Sequence, residues 1–99
     1  MKRVLMLAAV LAAGLAVADD RVARTGADFV RIRTLPCSSP EVLALLSAEL
    51  HDRFQEAVTS VEGKTFRGCW TLLPDGRVFL RYEDGDAGMV PLREFKPGT

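Results

Sequence analysis

Residues 38–63 read SSPEVLALLSAELHDRFQEAVTSVEG, and the reading of this stretch decides the fold. Ser39 followed by Pro40 is a helix start. The hydroxyl caps the first turn, and proline takes the first helical position, where a missing N–H costs little. Ser38 and Glu41 offer the same start as an S-x-x-E capping box. Beyond it, Val42, Leu46, Leu50, Phe54, Ala57, Val58 and Val61 fall on one stripe at helical spacing, widened by Leu43 and Leu45. Glu49, Asp52, Arg53 and Glu56 lie mostly on the opposite side. The spacing predicts one amphipathic helix running to about Ser60, with Gly63 as its terminator.

On either side of this stretch the pattern changes to alternation. Phe29 to Leu35 places Phe29, Arg31, Arg33 and Leu35 on one face and Val30, Ile32 and Thr34 on the other, and Pro36 ends it. Thr65 to Leu73 and Arg77 to Glu83 read as strands around the turn Pro74-Asp75-Gly76, and so close short of each other as an antiparallel hairpin. Met89 to Phe95 gives a short last strand, placed at an edge by Pro91. The predicted fold class is therefore α+β, in the order β-α-β-β(-β), with one amphipathic helix packed on a small antiparallel sheet. One conflict stands within it. Trp70 and Cys69 are adjacent and point to opposite faces, so only one of them faces the helix, unless Gly68 marks a bulge.

The chain opens Met1-Lys2-Arg3, continues uncharged from Val4 to Ala18, and reaches Ala16-Val17-Ala18 just before Asp19-Asp20. A positive start, an apolar centre and a small-x-small site form the pattern of a secretory signal peptide. The apolar stretch is shorter than the ~20 residues that cross a bilayer, and position 19 is not the cysteine that lipid anchoring needs. The expected organisation is a signal peptide over 1–18, a flexible leader over 19–27, and a single small domain over 28–99. The expected location is periplasmic or secreted, with no stable membrane anchor after cleavage.

The whole chain carries 13 basic and 13 acidic residues. Loss of Lys2 and Arg3 leaves 11 basic groups against 13 acidic. That mild acidity argues against a nucleic-acid partner. The two cysteines, Cys37 and Cys69, are expected to form a disulfide in an oxidising compartment. Closing a loop of about 33 residues stabilises a small domain by roughly 3–4 kcal/mol. Redox pairs sit two residues apart, and zinc needs about four ligands. With wide cysteine spacing and His51 the single histidine, neither a metal site nor a cofactor is expected.

Two groups of residues carry candidate chemistry. Glu83, Asp84 and Asp86 put three carboxylates within four positions, which is the material of a hard-cation site. Counted from Asp84, however, the EF-hand pattern meets Gly88 and Phe95 where ligands belong. A polar turn, with glycines at positive φ and aspartates capping their own backbone, explains the same residues. A carboxylate pair acting on a glycan needs a cleft that about 80 residues seldom form. His51 has serines at 38, 39 and 47 for company but no nucleophile elbow, so no catalytic residue is assigned. The second group is Arg67 and Arg81, with Arg31, Arg33 and Arg77, on strands that also hold Trp70 and Tyr82. Arginine beside aromatics makes a binding surface. The plainer account is arginines on the wet side of a sheet, paired with nearby acids.

The run Gly68-Cys69-Trp70, Pro74-Asp75-Gly76 and Glu83-Asp84-Gly85-Asp86-x-Gly88-x-x-Pro91, with Pro36-Cys37 ahead of it, resembles small exported proteins of proteobacteria and their prophages. The resemblance covers about the last third of the chain. It implies a bacterial or prophage-encoded protein of the envelope and carries no activity with it. The expected function is thus a non-enzymatic binding or accessory protein, with an envelope protein or cell-wall component as partner. Its candidate surface is Trp70, Arg67, Arg81, Tyr82, Glu83, Asp84 and Asp86. The alternative is a small hydrolase or divalent-cation-binding protein centred on Glu83 to Asp86.

Overall fold

The computed structural model describes residues 20–98. The signal-peptide expectation lies outside them. Seven strands form one antiparallel sheet that curls into a half-barrel: β1 (Arg21–Thr25), β2 (Asp28–Pro36), β3 (Gln55–Val61), β4 (Lys64–Leu72), β5 (Arg77–Tyr82), β6 (Ala87–Pro91) and β7 (Lys96–Pro97). Their order across the sheet is β6-β5-β4-β3-β2-β1-β7. The α+β expectation is therefore corrected to a mostly β fold. The expected leader is corrected as well, because residues 21–25 form β1 and pair along their length with β2.

The long helix is the main casualty. Its start is where the sequence places it: Ser39 is the N-cap, its Oγ accepts the Val42 N–H at 3.3 Å, and Pro40 opens the helix. Yet α1 covers only Pro40–Leu43, a 3₁₀ turn spans Ala48–Arg53, and β3 begins at Gln55. The reason lies in the sheet. Pro36 leaves β2 and Gln55 enters β3 as cross-strand partners, so the chain between them must return to where it left. A straight helix over 39–60 would run about 30 Å and carry Gln55 far from Pro36. The segment 37–54 instead folds back as a strap over the outer face of the sheet.

The strap explains how Cys69 and Trp70 are both buried. On the outer face, Cys69 joins Cys37, Val42 and Phe54 in a cluster flanked by Leu43, Leu46, Leu50 and Phe79. The Cys37–Cys69 disulfide pins the strap there, with 5.6 Å between the Cα atoms. On the inner face, Trp70 packs with Ala23, Ile32, Ala57, Val78, Leu80 and Phe95. The sheet thus has two small cores, one on each side. Gly68 has a different task from the bulge first considered. A Cβ there would collide with the Arg81 carbonyl oxygen and crowd the Tyr82 ring, so glycine lets β4 and β5 approach where the sheet curls.

The curl itself follows from chain length. In a flat sheet of this order, β6 and β7 would lie about 29 Å apart at ~4.8 Å per strand. The chain from Pro91 to Lys96 spans at most about 18 Å. The edges must approach each other, and a 3₁₀ turn at Leu92–Glu94 bridges the seam. Phe95, at the end of that bridge, is buried in the inner core.

Candidate functional site

Because β1 to β6 run up and down, each beside its neighbour in sequence, the β1–β2, β3–β4 and β5–β6 turns all lie at one end of the half-barrel. They ring its mouth. The inner face at this end carries Thr59, Val61, Phe66 and Tyr82, which together with Asp84 and Asp86 line a depression of about 280 Å³. A second depression, of about 140 Å³, shares Thr59 and Val61 and continues along Ala23, Val30 and Val90 toward the seam, with Asp28 and Glu94 in its lining. Each combines an apolar wall with two carboxylates in its lining.

Tyr82 and Thr59 mark the depth at which the core closes. Their hydroxyls hydrogen-bond across β3–β5 at 2.8 Å. Burial pushes the Tyr82 phenol above its ordinary value of 10.0. The Thr59 bond opposes that rise, and the charges of Asp86 and Asp84 add to it. Above this bond the wall stays open, and Val61 is 39% exposed.

The acidic loop is built as a turn. The Gly85 amide donates to the Tyr82 carbonyl at 2.9 Å, with Gly85 at φ 91°. Asp84 Oδ1 accepts the Asp86 amide at 2.9 Å, and Asp86 Oδ1 accepts the Ala87 amide at 3.0 Å. One oxygen of each aspartate is therefore engaged in shaping the loop. Among the described residues, no cluster of histidine, cysteine, aspartate or glutamate is arranged to hold a metal ion.

The candidate residues from the sequence separate onto two faces. Tyr82, Asp84 and Asp86 meet at the mouth. Trp70 is a core residue, 9% exposed, whose indole N–H donates to the Arg33 carbonyl at 2.9 Å, beside the register shift of β2. Arg67, Arg81 and Glu83 belong to the outer face, so the expected surface of arginines with Trp70 and Tyr82 does not assemble. There Asp20, Glu56 and Glu83 meet arginines. Asp20 meets Arg31 and Arg33 at 3.4 and 3.2 Å, Glu56 meets Arg33 at 3.6 Å, and Glu83 lies 3.9 Å from Arg67 while accepting the Ser39 hydroxyl at 2.7 Å. Arg81 Nε is buried beside these groups with no hydrogen-bond partner among the described residues.

Sequence reasoning missed Asp28, Val30, Thr59, Val61, Phe66, Val90 and Glu94 as one surface. The alternation Ala57, Thr59, Val61 was the available signal, hidden because a helical stripe runs through the same residues. The chain matches no protein-family model, no curated protein and no solved structure.

Proposed function

We propose that this chain is a small exported, non-enzymatic binding protein of bacterial or prophage origin, and that it docks its partner at the mouth of the half-barrel. The observation that carries this is the open apolar wall at Val61 and Phe66, beyond the Thr59–Tyr82 bond where the core has closed. A small domain has little apolar surface to spare, and a grouped exposed patch beside polar residues is the usual mark of an interaction site. Export is supported by the signal pattern and by the buried disulfide, which persists in oxidising compartments. An envelope protein or cell-wall component is the partner consistent with that location.

A photo-crosslinking side chain at Phe66 tests the docking surface in bacteria expressing the full chain. Leu72, also exposed on the inner face but at the opposite end, is the control. Phe66 is expected to give one discrete adduct in the envelope fraction and Leu72 none. Equal adducts at both positions, or none at Phe66, would remove the mouth as the docking site. Recovery of the chain only from the cytosol would remove export.

A further inference from the structure

We propose that the Cys37–Cys69 disulfide exchanges with an external thiol, and that Arg81 holds the thiolate left on Cys69. The ground is one orphaned donor. Among the described residues, Arg81 Nε is the single buried side-chain nitrogen or oxygen with no hydrogen-bond partner. Leaving such a donor unmet is costly, and native proteins seldom do so without a role for it. Arg81 stands directly opposite Cys69 across β4–β5. On the other side of Cys69, across β3–β4, stands Glu56. Glu56 is engaged, by Arg33 at 3.6 Å and by the Ser38 hydroxyl at 3.2 Å. Glu83, two residues after Arg81, accepts the Ser39 hydroxyl and lies 3.9 Å from Arg67. Arg81 itself has no ion pair among the described residues. The unanswered charge beside Cys69 is therefore positive.

A buried nitrogen is out of reach of an anion from solvent, so the acceptor that fits it is one already beneath the strap. Reduction of the disulfide supplies that acceptor. Side chains opposite each other in an antiparallel pair have Cβ atoms about 5 Å apart, a gap that a freed Sγ narrows by turning about χ1. Access decides which sulfur is attacked. Cys37 is 9% exposed and borders a surface depression of about 500 Å³ beside His51 and Asp52. Cys69 borders another, of about 280 Å³, yet is itself only 1% exposed. An incoming thiolate forms a bond to Cys37 Sγ, and the S–S bond breaks with its electron pair passing to Cys69 Sγ, beside Arg81. A second thiolate attacks the sulfur of the first and leaves with it as an external disulfide. Cys37 departs as a thiolate and takes a proton from water. The external thiols are thus oxidised and the protein disulfide is reduced. Wide spacing sets this pair apart from C-x-x-C catalysts. What it switches is the strap over 37–54, whose covalent tie to β4 is this bond.

The test holds the purified disulfide-bonded chain in glutathione buffers of rising reduced-to-oxidised ratio, then alkylates and weighs it. A glutathione adduct is expected on Cys37, followed by the dithiol. Hydrogen exchange should then rise at Val42 and Phe54 while β4 and β5 stay protected. Arg81→Met is expected to slow reduction and to raise the ratio needed for half-reduction about tenfold, the worth of one hydrogen bond to a charged group. Arg81→Lys keeps the charge and should stay close to the parent. The Tm of the disulfide-bonded Arg81→Met chain should not fall, because the orphaned donor stabilises nothing in that state. An arginine with a purely structural task would lower that Tm and leave the exchange ratio unchanged, and this result would overturn the inference. So would an adduct on Cys69, or failure of glutathione to reduce the bond at any ratio. Uniform exchange across all strands after reduction would remove the strap as the part released.

Discussion

Cys69 and Trp70 are chain neighbours on opposite faces of β4, and both are buried because each face has its own cover. Such economy at single positions recurs in Tyr82, whose ring closes the inner core while its hydroxyl bonds Thr59. Burial raises the phenol's pKa, which couples folding to alkaline pH. The folded value is above the unfolded value of 10.0, so this contribution to stability is complete below pH 10. It is lost as pH rises through the folded value. Tyr82→Phe is expected to abolish this alkaline fall in Tm while lowering stability at neutral pH by about 1 kcal/mol through the lost hydrogen bond. Thermal melts from pH 7 to 11.5 check it, and an unchanged alkaline slope in the variant would assign that slope to other groups.

At the scale of elements, the strap over 37–54 is held more by attachment than by its own helicity. A four-residue helix and one 3₁₀ turn are too short to be stable alone. Their hold on the sheet comes from Val42 and Phe54 in the outer cluster, the Cys37 amide donating to the Phe54 carbonyl at 3.0 Å, and the disulfide. Replacing Cys37 and Cys69 together by alanine is expected to cost about 3–4 kcal/mol. Hydrogen exchange should then rise first at Val42 and Phe54, with β4 and β5 still protected. Uniform loss of protection across all strands would show that the strap and the sheet unfold as one unit. His51 is part of this element and has a structural place. Its Nε2 lies 2.9 Å from the Leu43 carbonyl and 3.3 Å from that of Leu46, closing the loop between the two short helical turns.

Across the whole molecule, the decisive contact is the bridge from β6 to β7. It joins the two edges of the sheet and delivers Phe95 to the inner core. Phe95→Ala removes a buried aromatic at the seam and is expected to cost about 3–5 kcal/mol. Chemical denaturation measures the loss. If β7 also leaves β1, the amides of Arg21 and Val22 should exchange faster than those of β4, since their pairing with Pro97 and Lys96 is the last rung of the sheet. A loss below 1 kcal/mol would mean that the curl is maintained by the strands alone. The same curl creates the mouth, because it gathers three hairpin tips whose acidic residues are far apart in the chain.

Local chemistry was legible from the residues: the Ser39 cap, the turn at Pro74-Asp75-Gly76, the β4–β5 hairpin, the edge position of Pro91 and the cysteine pair. Each depends on backbone preferences or on covalent chemistry that neighbours in sequence specify. The length of the helix was not of this kind. Residues 54–61 satisfy a helical stripe and a strand alternation at once, and pairing of β3 with both β2 and β4 chose the strand. Residues 21–25 likewise became β1 only because β2 and β7 supply partners for their amides. The half-barrel, its two cores and the mouth with its acidic residues were decided by tertiary structure. They require that the short chain between β6 and β7 draw the sheet edges together, a constraint that no local pattern of side chains contains.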